Sequence, residues 1–222
     1  MTASRRDIWE RQWQQHSGEE FGWYLQEVPP ELRDLLARPD HPSGAVLDVG
    51  CGNGVATAFL AEHLRPAVGV DIALGAVRQA RDLALGKGVR ASFLVAEAPM
   101  LPFRDGSFGL VFDRGCLQAV PRPGWPTYFA EVDRLLHPAG MLQLFVSRPV
   151  RPRPSLLSPR GIRARIRRRT RPHPIGPSFL SVSLVRELVP ATMQELSMDE
   201  FEFMTKGSQK RMFIHALYRK AA

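Results

Sequence analysis

Between Ala45 and Val55 the chain reads Ala-Val-Leu-Asp-Val-Gly-Cys-Gly-Asn-Gly-Val, and no other stretch limits its fold as strongly. Ala45 to Val49 is a short apolar run rich in β-branched residues, as in a strand buried on both faces, and Val55 to His63 is made of helix formers. Gly50, Gly52 and Gly54 alternate between them. Lacking Cβ atoms, they permit positive φ and close approach of a ligand to the backbone. We therefore expect strand, tight loop and helix, with loop amides facing a polar ligand. This is the signature of a nucleotide-type cofactor at the carboxyl end of a parallel sheet.

The dinucleotide version of such a loop is G-x-G-x-x-G, with pyrophosphate at the helix N-terminus. Here Val55 occupies the third glycine position, and Asp48 precedes the first glycine by two residues. A carboxylate there repels pyrophosphate and suits an ammonium-bearing ligand. On these residues the chain resembles the class I S-adenosylmethionine-dependent methyltransferases, whose first motif is an acid followed by alternating glycines. The resemblance implies that S-adenosylmethionine, carrying a sulfonium and an α-amino group, lies against Asp48, Gly50, Cys51, Gly52 and Gly54.

Two further acids sit where strands should end. Ala67-Val-Gly-Val-Asp71 is a second apolar run, with its acid about twenty residues past the glycine loop, as expected of a ribose-binding carboxylate. Asp71 could equally cap a helix from Leu74 to Leu85. In the resembled family Ile72 would pack on the adenine face. Ala91 to Ala98 reads as a third strand, and the resemblance gives Glu97 the adenine amino group and the Ala98 amide a ring nitrogen. That family more often has Asp at the position of Glu97.

Asp105-Gly is a turn signal before a fourth strand, Phe108 to Phe112. The family's usual Phe-Asp pair is Phe108-Gly109 here. Asp113-Arg114-Gly115 looks like the small-molecule branch that includes thiopurine and tellurite resistance enzymes, and Asp113 joins the implied cofactor contacts. Gln118 and Ala119 stand where related enzymes often have histidine. Gly124 to Leu136 reads as an amphipathic helix, His137 to Gly140 as a turn, and Met141 to Val146 as a fifth strand. Glu195 to Met204 and Arg211 to Tyr218 form an expected hairpin around Lys206-Gly207-Ser208. The resemblance places the seventh strand antiparallel between the fifth and sixth. The expected fold is α/β: a Rossmann-like, seven-stranded, mostly parallel sheet with an antiparallel last strand, helices on both faces and an N-terminal aromatic helical cap.

Length suits one domain over residues 1–222, with a cap over 1–43. No apolar run is long enough to span a bilayer and the N-terminus lacks a signal core, so we expect a cytoplasmic protein. Two cysteines make no disulfide framework, and no Cys/His spacing suggests a metal site. The net charge of +8 is concentrated: residues 151–173 hold nine arginines and no acid. This Arg/Pro-rich insertion, 151–177, follows the fifth strand. It reads as a solvated loop, as a lid attracting an acidic small substrate, or as a contact for nucleic acid or a membrane surface. Nucleic acid is the less favoured partner, since the insertion lacks interleaved aromatics.

Before the helix at Pro30 to Arg38 the chain carries Trp9, Trp13, Phe21, Trp23 and Tyr24. Trp9 and Trp13 share a helical face. They either plug the sheet or close over the cofactor, and Trp13 is the cap residue expected to touch it. No strong general base emerges: His63, His137 and His215 read as structural, and His173 ends the basic insertion. Arg114, Gln118 and Arg148 follow the fourth and fifth strands and are the candidates for orienting substrate. The Asn-Pro-Pro-aromatic motif of enzymes methylating amide or exocyclic nitrogens is missing, as is the Pro-Cys of cytosine-C5 enzymes. The expected activity is methyl transfer to a small molecule. The alternatives are an RNA or protein-lysine methyltransferase docked by the insertion, and a non-catalytic cofactor-binding regulator. Oligomeric state is not legible.

Overall fold

The computed structural model describes residues 4–15, 26–149, 180–204 and 210–222. Helices α1 (Arg5–Gln15) and α2 (Pro30–Leu36) precede an alternating core. The core runs β1 (Val46–Val49), α3 (Val55–His63), β2 (Ala67–Asp71), α4 (Leu74–Gly86), β3 (Ser92–Val95), β4 (Phe108–Arg114), α5 (Trp125–Leu135) and β5 (Leu136–Pro149). A short helix α6 (Val182–Leu188) leads into β6 (Met193–Met204) and β7 (Lys210–Lys220). The strands form one sheet in the order β3-β2-β1-β4-β5-β7-β6. Pairings among β1 to β5 are parallel, while β7 lies antiparallel between β5 and β6. This is the expected arrangement.

Helices cover both faces of the sheet. Val46, Leu110, Phe112, Met141 and Leu217 share a cluster with Leu32 and Leu35 of α2 and Ala56 and Leu60 of α3. Leu47, Val49, Val111, Leu142 and Leu144 join Tyr128, Phe129 and Val132 of α5 on the other face. All four residues of β1 are buried, the reason its sequence does not alternate apolar with polar; Asp48 is its one polar residue. Each large side chain removed from water contributes about 1.5–3 kcal/mol, so this double layer dominates stability.

Several boundaries differ from expectation. β3 is shorter, ending at Val95, so Glu97 lies in the following turn and forms an isolated bridge to Met100. The expected turn His137 to Gly140 falls within β5, where the register with β4 jumps between Phe108 and Leu110 and Ala139 takes φ 65°. α6 was not foreseen, because a seven-residue helix gives little periodic signal. Gly109 has a steric reason: a Cβ there would lie 1.8 Å from the Ser43 carbonyl oxygen. The chain ahead of β1 runs against β4 at that point, so the usual Asp has no room.

The basic insertion, His173, the Lys206-Gly207-Ser208 turn and the aromatics Phe21, Trp23 and Tyr24 lie outside the described residues. Among the described residues no helix is long and apolar enough to cross a membrane.

Candidate functional site

The carboxyl ends of β1, β2 and β4 meet at the glycine loop. Gly50, Gly52 and Gly54 all have positive φ, at 72°, 54° and 78°. A Cβ on Gly54 would lie 2.7 Å from Cβ of Ala80, and one on Gly50 would lie 2.7 Å from Cβ of Cys116. The first glycine thus lets the loop touch the end of β4, and the last lets α3 close on α4.

The loop amides do not face a ligand as the sequence suggested. Gly50 and Cys51 both donate to the Val70 carbonyl, at 2.8 and 2.9 Å, and Gly54 donates to the Cys51 carbonyl at 3.0 Å. Gly52 donates to Asp71 Oδ2 at 3.1 Å. With these donors turned inward, the loop is no anion nest of the phosphate-binding kind. The carboxylates buried next to the loop suit a cation better. Cys51 is buried beside the loop, and burial raises both its thiol and that of Cys116 well above the usual cysteine value.

Three aspartates lie at this end of the sheet, on β1, β2 and β4. Asp48 is 3% exposed and accepts a 2.5 Å hydrogen bond from the Thr57 hydroxyl on α3. Burial pushes its pKa up to about 7, and the charges of Asp113 and Asp71 add to the rise. Asp71 ends β2 and accepts from the Gly52 and Ala73 amides, yet burial still lifts it to about 6. It is not the cap of α4, whose N-cap is Ala73 with no side-chain capping bond. Glu10 of α1 serves that end of the helix, its Oε2 accepting from the Gly75 amide at 3.1 Å.

Asp113 departs from its expected role as a cofactor contact. Its side chain is fully enclosed and accepts from the Cys116 and Leu117 amides and the Tyr128 hydroxyl. It shapes the turn after β4, and burial raises its pKa to about 6. Buried carboxylates crowded in this way are costly when ionised, so a cation in the cleft would relieve them.

Helix α1 packs on α4 beside the glycine loop. Arg5 Nη1 donates to Glu97 Oε1 at 2.9 Å, and Trp13 is buried. A Cβ on Gly52 would meet the Trp13 ring at 3.4 Å, and one on Gly75 would meet Trp13 Cβ at 2.9 Å. Ile72, just past β2, is half-buried, and Ala98, in the turn that follows β3, is buried. The structure thus gathers Gly52, Asp71 and Trp13 at one end of the sheet, and ties Glu97 to the same helix as Trp13.

The candidate substrate residues separate. Arg114 ends β4, donates from Nε to Glu31 of α2 at 2.8 Å, and lies 5.0 Å from the Phe145 ring centroid. That ion pair anchors α2 to the sheet, a duty the sequence did not reveal. Gln118 is half-buried in the turn past β4, close to Gly115. Arg148 stands on β5 opposite Met212, and its side chain lies outside what is described. Sequence reading also passed over Arg5, Glu10, Glu31, Thr57 and Gln143. Each is an ordinary polar residue on a helix or strand, and only its distant partner marks it. Among the described residues, no group of three or more His, Cys, Asp or Glu could hold a metal ion.

Residues 46–140 match the family described as the methyltransferase domain. The eEF1A lysine and N-terminal methyltransferase of Bos taurus is 32% identical over 135 residues, covering 60% of this chain and 19% of that protein. The 2-heptyl-1-hydroxyquinolin-4(1H)-one methyltransferase of Mycobacteroides abscessus is 29% identical over 126 residues, 54% of this chain and 55% of that one. The chain therefore matches about a fifth of the length of the first relative and about half of the second. A structure solved in work on the conversion of a disulfide bond into a thioacetal group during echinomycin biosynthesis shares the fold. Its TM-score is 0.73 at 21% identity, over 98% of this chain and 93% of that one.

Proposed function

We propose that this chain, which belongs to the class I, Rossmann-like S-adenosylmethionine-dependent methyltransferases, transfers the methyl group of that cofactor to a small-molecule acceptor. The observation that carries the reading is the glycine loop, whose amides are satisfied inside the protein above buried carboxylates. That cradle fits a cationic ligand better than a pyrophosphate. In this reading Asp71 accepts from the ribose hydroxyls and Ile72 lies against the adenine. Glu97 takes the adenine amino group through the oxygen that Arg5 leaves free, and the Ala98 amide donates to the ring. Gly50, Cys51 and Gly52 line the amino-acid portion, Trp13 covers it, and Asp48 acts through its charge from below.

The cofactor supplies an already activated methyl group, so the protein mainly aligns the acceptor and excludes water. Trp13 and α1 close the cleft from one side. Arg114 and Glu31 fix the wall beyond β4, and Gln118 stands at its edge. A base is needed only for an acceptor that must lose its proton on attack, and among the described residues no histidine stands next to this turn in sequence.

A protein-lysine acceptor is the second reading, favoured by the 32% identity to the eEF1A methyltransferase. Calorimetry with S-adenosylmethionine, S-adenosylhomocysteine and NAD, followed by transfer of labelled methyl to small-molecule and protein panels, tests both. Binding of the first two ligands without NAD supports the cofactor, and NAD binding alone would overturn it. Label incorporated only into protein would replace the first acceptor reading with the second.

A further inference from the structure

The ribbon β5-β7-β6 runs past the end of the strand beside it. β4 finishes at Arg114 opposite Phe145, whereas β5 continues, paired to β7, as far as Pro149 opposite Arg211. Those four extra residues are about 13 Å of strand. They make a wall beside the place where the glycine loop meets the end of β4, Gly50 against Cys116.

Phe145 and His215, level with Arg114, and Phe213 and Phe201, level with the extension, form one cluster at this wall, on the face that carries α2. Phe145 lies 4.9 Å from Phe213, 5.4 Å from Phe201 and 5.7 Å from His215 by ring centroids, and Phe201 stacks on Phe213 at 5.8 Å. α2 leaves part of the cluster open. Its Leu32 and Leu35 cover the deeper level of Met141 and Leu217, its Glu31 reaches Arg114, and Phe201 remains 39% exposed.

Polar groups at the base of the wall are aimed in a fixed way. Gln143 Nε2 donates to the Glu31 carbonyl at 2.9 Å and lies 3.0 Å from His215 Nε2. The carbonyl can only accept, so the contacting atom of Gln143 is its nitrogen and His215 Nε2 is an acceptor. The imidazole proton then sits on Nδ1, as a donor. Gln143 Oε1 is buried with no partner among the described residues.

Resting on the methyl-transfer reading above, we propose that this aromatic wall is the acceptor subsite, and that it takes a planar, uncharged aromatic or heteroaromatic ring bearing an oxygen that His215 can bind. Flat rings bind flat rings by offset stacking or edge contact, and three phenylalanines with one ring open to solvent provide that surface. A cationic guest such as a lysine side chain fits less well. The Arg114 guanidinium, paired with Glu31, already lies 5.0 Å from the Phe145 ring centroid, so that ring face is taken and a second cation gains less there.

The test uses the full chain loaded with S-adenosylhomocysteine and titrated with 2-naphthol, followed by calorimetry and by chemical-shift changes. We expect binding to the parent, about tenfold weaker in Phe201→Ala. Phe201→Leu, which keeps bulk and apolarity on the edge strand but removes the ring, should also weaken it. S-adenosylhomocysteine affinity should stay within about twofold in both variants, because Phe201 lies away from the glycine loop. No naphthol binding to the loaded parent, binding to both variants as tight as to the parent, or displacement of naphthol by tetramethylammonium would overturn the proposal. Failure of the parent to bind S-adenosylhomocysteine would instead overturn the cofactor reading on which it rests.

Discussion

Replacing Asp71 with asparagine tests the cofactor assignment and the electrostatics of the cleft together. Asp71 accepts from the Gly52 and Ala73 amides at 3.1 and 2.9 Å, yet burial holds its pKa at about 6 instead of 3.8. Two pKa units correspond to about 3 kcal/mol, the approximate cost of keeping this carboxylate ionised in ligand-free protein at neutral pH. Its folded pKa lies above the unfolded value, so the native state holds the extra proton between about pH 4 and about pH 6. The contribution of Asp71 to stability therefore falls as pH rises through that window. Asparagine keeps one amide partner through its oxygen and never pays the ionisation cost. Ligand-free Asp71→Asn should lie within about 2 kcal/mol of the parent at neutral pH and lose this part of the pH slope. Affinity should move much further. A carboxylate accepting from two ribose hydroxyls gains about 1.5–3 kcal/mol from each charged hydrogen bond, so binding of S-adenosylhomocysteine should weaken about 10²- to 10³-fold. Parent affinity should also rise by up to about tenfold per unit below about pH 6, because binding requires the ionised form. Asp48 adds a rise nearer pH 7, and the difference between parent and variant isolates Asp71. Calorimetry from about pH 5 to about pH 8, alongside thermal unfolding, measures both. A folded variant with parental affinity, or a parent whose affinity ignores pH, refutes the reasoning.

Thr57→Val removes the hydroxyl that Asp48 accepts from and leaves a buried carboxylate without that donor. The expected loss is about 1–3 kcal/mol in urea unfolding at neutral pH, smaller near pH 5 where Asp48 is protonated. Gly54→Ala combines a left-handed backbone at φ 78° with a Cβ 2.7 Å from that of Ala80, so about 2–4 kcal/mol of stability should go. An unchanged denaturation midpoint would show that α3 and α4 can part without cost. Restoring the family's acid as Gly109→Asp drives a Cβ to 1.8 Å from the Ser43 carbonyl, which should lower Tm by roughly 6 °C or more by calorimetry.

Much of the sheet was readable in the sequence because its signals are local. Val46 to Val49 had to be a strand buried on both faces, and Asp71 had to end the next one, since apolar runs, glycines and strand-end acids lie within a few residues of each other. The antiparallel seventh strand came from resemblance and agrees with the pairing of β7 to β5 and β6. What the sequence could not set was direction. It marked Gly50, Gly52 and Gly54 as a ligand loop, but their amides turn inward because the Val70 and Cys51 carbonyls and the Asp71 carboxylate lie within hydrogen-bonding reach. It placed Asp113 at a strand end, but only packing against Tyr128 encloses that carboxylate and withdraws it from the cleft. It read Arg114 as a substrate contact, while a helix 83 positions earlier supplies Glu31 as its partner. Hydrogen bonds and ion pairs between distant residues depend on which elements become neighbours, and chain proximity carries no trace of that. The sequence therefore determined the strands, the loop and the cofactor class, whereas tertiary structure decided which polar groups remain for a ligand and which are spent holding the fold.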